Sequence, residues 1–144
     1  MKKYIIAIVF LLTPWIISSG QPTDPLVSKC IRSTGSNAKY LKDFRIQLGK
    51  ASFQGDLRFR ANMTLWKNKK YRFSLCTADD SKGQLILYIR DESNKVVRSS
   101  VDEKNGKINS IVDFVCKKSG IYRLCFDFTN GQPGSGVGVV SMIK

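Results

Sequence analysis

From residue 40 onward, apolar and polar side chains alternate with a period of two along most of the chain. Tyr40, Phe44, Ile46 and Leu48 share one phase, and Leu41, Asp43, Arg45 and Gln47 the other. Leu57, Phe59, Ala61, Met63 and Leu65 alternate with Arg58, Arg60, Asn62 and Thr64, and Tyr71, Phe73 and Leu75 with Arg72, Ser74 and Cys76. A pleated strand sends successive side chains to opposite faces, so this pattern predicts strands with one buried and one wet side. Gln84–Arg90 is apolar in both phases, which predicts a central strand covered on both faces. Further strands are expected at Val96–Val101, Ile108–Cys116, Ile121–Phe128 and Val137–Ile143. Turn signals separate them: Lys67-Asn68-Lys69, Lys82-Gly83, Glu92-Ser93-Asn94, Asn105-Gly106, Ser119-Gly120 and Asn130-Gly131. No 3.6-residue period competes. The expectation is an all-β fold, an antiparallel two-sheet β-sandwich of jelly-roll type with about eight strands, over residues 38–144.

The beginning of the chain follows another rule. Lys2 and Lys3 precede an apolar run that ends at Ile17, and Ser18 and Gly20 then supply small side chains. This is the layout of a signal peptide, residues 1–20, cleaved near Gly20 before Gln21. The run is shorter than the roughly 20 residues that span a bilayer, and Pro14 interrupts it. The expected location is secreted or periplasmic, with no membrane span in the mature form. Residues 21–37 are polar and contain proline, and read as a loosely ordered segment.

Composition narrows the chemistry. The chain has 144 residues and no histidine, so Ser-His and Cys-His nucleophile pairs and histidine metal sites are excluded. No cofactor is expected, and no catalytic residue or metal ligand is assigned. Cys30, Cys76, Cys116 and Cys125 make an even count, which in an oxidising compartment suggests two disulfides. Their spacing has none of the close pairs of a zinc site, and C-x-x-C is absent. If the Tyr71 and Ile121 strands are antiparallel neighbours, Cys76–Cys116 with Cys30–Cys125 is the expected pairing. Cys76 and Cys125 also alternate onto the face carrying Arg72, Arg123 and Asp127, so other connectivities stay open.

Two acidic pairs, Asp79-Asp80 and Asp91-Glu92, flank the Gln84–Arg90 strand. About 11 residues at about 3.3 Å each put them on the order of 35 Å apart, too far for a glycosidase pair. Polar turns account for both better than calcium does. Gly131 to Gly138 is glycine-rich, but Pro133 removes a backbone donor and a strand follows, so it is read as a loop and closing strand rather than a phosphate cradle. Asn62-Met63-Thr64 matches a glycosylation sequon, which matters only in a eukaryotic secretory pathway.

Charge is the remaining clue. Lys and Arg number 24 against 11 acidic residues, and removing Lys2 and Lys3 with the leader lowers the formal charge from +13 to +11. Arg58 and Arg60 alternate outward on one strand with Trp66 in phase, while Arg72 and Arg123 project from two others. Together these five form the candidate binding set, basic side chains for an anion and a ring that stacks on a sugar. Replacing Arg58 and Arg60 with Ser is expected to leave thermal stability nearly unchanged. The competing reading is a scattered solvated surface with lysines guarding strand edges.

Tyr40-Leu41-Lys42-Asp43-Phe44, Tyr71-Arg72-Phe73-Ser74-Leu75-Cys76, Gly83-Gln84-Leu85-Ile86-Leu87, Phe114 to Tyr122 and Gly138-Val139-Val140-Ser141 occur in that order. In order and spacing, over residues 38–143, they resemble a group of small uncharacterised exported β-sandwich proteins of Bacteroidota. Phe114 with Ser119-Gly120-Ile121-Tyr122-Arg123 is more loosely similar to bacterial pre-peptidase C-terminal (PPC-like) domains. That likeness implies a binding or accessory β-domain, acting in trans because no protease accompanies it. The expected function is an exported, non-catalytic binding domain for anionic envelope polysaccharide or an acidic envelope protein, with nucleic acid disfavoured. The rivals are an assembly protein that pairs through a sheet edge and, behind it, a calcium-dependent or hydrolytic enzyme.

Overall fold

A computed structural model of the chain describes residues 24–52 and 57–144. The expected leader, residues 1–20, and residues 21–23 lie outside the described residues. Helix α1 (Pro25–Ser33) precedes eight strands: β1 (Ala38–Leu48), β2 (Phe59–Leu65), β3 (Lys70–Thr77), β4 (Leu85–Arg90), β5 (Val96–Ser99), β6 (Ile111–Val115), β7 (Gly120–Phe128) and β8 (Gly134–Ile143). They form two antiparallel four-stranded sheets, ordered β1-β8-β3-β6 and β2-β7-β4-β5. This is the expected all-β sandwich, and β4 is an interior strand between β7 and β5.

The inward phases meet in one core. Tyr71, Phe73 and Leu75 of β3 face Leu124, Phe126 and Phe128 of β7, with Leu85, Leu87 and Ile89 of β4 beside them. Phe126 is central: its ring lies 5.7 Å from that of Phe44 and 5.9 Å from that of Phe59. Each such buried side chain contributes roughly 1.5–3 kcal/mol relative to exposure. The glycines of β8 make room for these rings. Gly134, Gly136 and Gly138 fall in the inward phase, and a Cβ on Gly138 would sit 2.6 Å from the Phe126 ring. A Cβ on Gly134 would stand equally close, 2.6 Å, to Phe128. The glycine-rich stretch is a set of recesses for aromatic side chains, as its reading as a closing strand allows.

The chain departs from its simple alternation in β1. A register shift between Tyr40 and Lys42 turns Leu41 onto the core and leaves Tyr40 exposed. A bulge inserts one residue and so reverses the phase, which is why the expected pairing of Tyr40 with Phe44 on one face fails.

Residues 25–33, within the stretch expected to be loosely ordered, form α1. The Asp24 side chain accepts from the Leu26 N–H at 3.0 Å and Pro25 occupies the first turn, a standard start for a helix. Leu26, Val27, Cys30 and Ile31 share one helix face and pack on Val137 and Val139, on the outward face of β8. Arg72 donates to the Thr34 carbonyl at 2.8 Å, placing a cation at the helix C-terminus. No helix of the described residues is long and apolar enough to cross a membrane.

One disulfide, Cys30–Cys76, fixes α1 to β3 with a Cα–Cα separation of 5.7 Å. Cys116 and Cys125 are buried free thiols. The expected pairing is therefore corrected, and the topology gives the reason. β3 and β7, taken as possible neighbours, belong to different sheets. Within its own sheet β3 pairs with β6 so that Lys70 opposes Val115, which puts Cys116 at the far end of β3 from Cys76. Seven residues at about 3.3 Å separate those ends by about 23 Å, far beyond disulfide reach. Cys30 and Cys125 lie on opposite outer sides of the sandwich.

Candidate functional site

The outward face of the β2-β7-β4-β5 sheet is built in rows by the strand register. Arg60, Cys125, Tyr88 and Ser99 form one row, and Asn62, Arg123, Arg90 and Val96 the next. Thr64 and Ile121 follow, and Trp66 continues the outward phase just beyond β2. Arg60 and Arg123 are exposed, as are Trp66 (60%) and Ile121 (53%). From Arg60 to Trp66 is about 20 Å along the strand. Three of the five expected binding residues thus share one face, with a cationic middle and an aromatic end.

The other two do not join them. Arg58 lies on the same side, but its guanidinium holds Asp127 of β7, with Nε and Nη2 donating to Oδ1 at 3.0 and 2.9 Å. It also donates to the carbonyls of Gly49 and Gln132. Arg58 is a structural clasp between the β1 and β7 ends, so the expectation that it can be replaced without cost is corrected. Arg72 belongs to the opposite sheet. It bonds Asp113 through Nε–Oδ1 at 2.8 Å and Nη2–Oδ2 at 3.0 Å, and this guanidinium holds the Asp113 carboxyl below the usual aspartate range.

Arg60, Arg90 and Arg123 have no such partner: among the described residues, the ion pairs of Arg and Lys side chains involve Arg45, Arg58, Lys70 and Arg72. Arg90 and Arg123 stand directly opposite each other on β4 and β7 and both donate to the Asn94 side-chain oxygen, at 3.3 and 3.5 Å. Asn94 reaches them from the β4–β5 turn, where it adopts a left-handed conformation (φ 63°). Sequence reasoning missed Arg90 and Tyr88 because the apolar run of β4 hid its outward phase. The signal was there: Ile86, Tyr88 and Arg90 are spaced by two.

Away from this face, a cleft of about 570 Å³ opens where the β5 edge of one sheet meets the β6 edge of the other. Val97, Phe114, Val115 and Tyr122 give it apolar walls, and Asp91, Glu92, Asp113 and Lys118 stand among its polar groups. The three carboxylates are already engaged. Asp91 accepts from the N–H of Ser93 and Lys95, Glu92 from Ile121, and Asp113 from Arg72. The Tyr122 hydroxyl donates to the Lys118 carbonyl at 2.6 Å, and its pKa is pushed up to about 12, first by burial and then by the adjoining Cys116. Asp79-Asp80 and Asp91-Glu92 fall in the turns at the two ends of β4, as polar turns should.

No family model matches the chain, and no curated protein or solved structure matches it.

Proposed function

We propose that the chain is an exported, non-catalytic binding domain that holds anionic envelope polysaccharide on the outward face of its β2-β7-β4-β5 sheet. The observation that carries this reading is the pair of exposed guanidinium groups in adjacent rows, Arg60 and Arg123, which have no carboxylate partner among the described residues and stand on the face that ends in the exposed ring of Trp66. A cationic strip beside a flat ring suits a charged sugar chain, because the cations attract it along its length and the ring stacks on a sugar face. The Cys30–Cys76 disulfide favours an oxidising compartment. The resemblance to exported Bacteroidota sandwiches and PPC-like domains points the same way. Retention on a dextran sulfate column tests the reading. Wild-type protein should be retained, with retention falling steeply as salt rises, and Arg60→Ser with Arg123→Ser should elute at clearly lower salt while the fold persists. Equal elution of the double variant and wild type would overturn it.

A second reading rests on β6, an edge strand with Ile111 and Val115 exposed. Such an edge accepts a strand from a partner, and concentration-dependent assembly rather than column retention would be its signature.

A further inference from the structure

We infer that Arg90 and Arg123 form a fork for one doubly charged oxyanion, the phosphate ester of a sugar. This rests on the reading of the same face as a binding surface and specifies what it takes. Like charges directly opposed across an antiparallel pair destabilise a sheet, yet β4 and β7 place these two guanidinium groups in register. Each carries five N–H donors. Among the described residues, the polar acceptor their side chains share is one neutral amide oxygen, on Asn94, at the long end of hydrogen-bond distance. The Arg90 Nε is moreover shut from solvent with no hydrogen-bond partner among the described residues, an unfavourable state for a charged donor. Arg58 and Arg72, which hold carboxylates at 2.8–2.9 Å, show how the fold neutralises such a group where it needs only stability.

Charge selects the ligand. Among the described residues neither cation is in an ion pair, since Asp91 and Glu92 of the adjoining turn bond backbone N–H groups instead. Two such cations are balanced by a dianion, and a phosphate monoester carries about −1.5 to −2 at pH 7. A carboxylate leaves one guanidinium unmatched. Phosphate also accepts paired N–H bonds from a guanidinium edge. The surroundings select the sugar. Tyr88, one row along β4 and half-buried, offers part of a ring face about 7 Å away. Asn62, exposed in the same row as Arg123, offers an amide to hydroxyl groups.

Calorimetric titration of the full chain with glucose 6-phosphate, glucuronate, inorganic phosphate and phosphoserine tests this. Glucose 6-phosphate should bind about ten-fold tighter than glucuronate and more tightly than inorganic phosphate or phosphoserine, and Arg90→Gln or Arg123→Gln should each weaken it about ten-fold. The two variants come from different strands, and thermal melting shows that each remains folded. Equal affinity for glucuronate, or affinity unchanged in both variants, would overturn the fork. Equal affinity for phosphoserine would overturn the sugar assignment. Stronger retention of wild type than of the Arg60→Ser, Arg123→Ser variant on dextran sulfate alongside either result would leave the broader binding face standing, whereas equal elution of the two would remove both.

Discussion

On the outward face of the β1-β8-β3-β6 sheet, Val137 and Val139 lie under α1 and Arg72 is held by Asp113. On the outward face of the β2-β7-β4-β5 sheet, Arg60, Arg90 and Arg123 stand without carboxylates and Trp66 without a cover among the described residues. Both sheets share one core, and both present cations outward. On the first, burial, an ion pair and a covalent link satisfy what β8 and β3 present, while Ile111 and Val115 of the β6 edge stay exposed. On the second, the ion pair among the described residues is the Arg58–Asp127 clasp, at one end. Groups left unsatisfied on an otherwise well-satisfied scaffold are where a ligand gains most, since its bonds there replace none within the protein.

The covered face should be the one whose loss is felt first. Cys30–Cys76 closes a sequence separation of 46 residues, for which chain entropy predicts about 4 kcal/mol, within a usual range of about 2–4. Cys30→Ser should lower unfolding free energy by about that much in a denaturant titration and speed amide exchange in α1. Alkylation of the denatured, unreduced protein should label Cys116 and Cys125 only. Labelling of all four thiols would remove the staple from the comparison.

A smaller effect separates two arginines two residues apart. Arg58→Ser strands the nearly buried Asp127 carboxylate and should cost about 2–3 kcal/mol. Arg60→Ser should change stability by no more than about 0.5 kcal/mol, as exposed substitutions do. Equal melting temperatures for the two variants would erase the distinction between clasp and ligand-facing cation.

How much of this was legible follows from which interactions are local. Period-two alternation, the doubly apolar run of Gln84–Arg90 and the turn signals between them pointed to all eight strands, because side-chain phase is written in consecutive residues. The helix escaped notice since its apolar face is only four residues, Leu26, Val27, Cys30 and Ile31, although Asp24-Pro25 marked its start. The disulfide needed the strand order, and nothing in the sequence states that β3 lies between β8 and β6 rather than beside β7. The candidate site was half visible for the same reason. Outward phase marks Arg58, Arg60 and Arg123 alike, while the Asp127 that claims Arg58 is 69 residues away. Arg90 becomes significant only once β4 and β7 are in register.

Acid should act on one face and spare the other. Arg72 lowers the Asp113 pKa in the folded protein, so the pair's contribution is fully present above the ordinary aspartate value of about 4. It is lost as pH falls through the lower folded value, because protonation removes the charge that Arg72 holds. The pair is partly exposed, which limits the loss to about 1 kcal/mol or less. Denaturation midpoints measured downward from about pH 5 should show this extra decline in wild type and not in Asp113→Asn. Arg72 also grips the Thr34 carbonyl, so exchange protection of α1 should weaken over the same interval. Guanidinium groups do not titrate there, and a sulfated polysaccharide keeps its charge. Retention by the open face should therefore hold while the covered face loosens. A decline of retention in step with α1 protection would mean that the two faces are not independent.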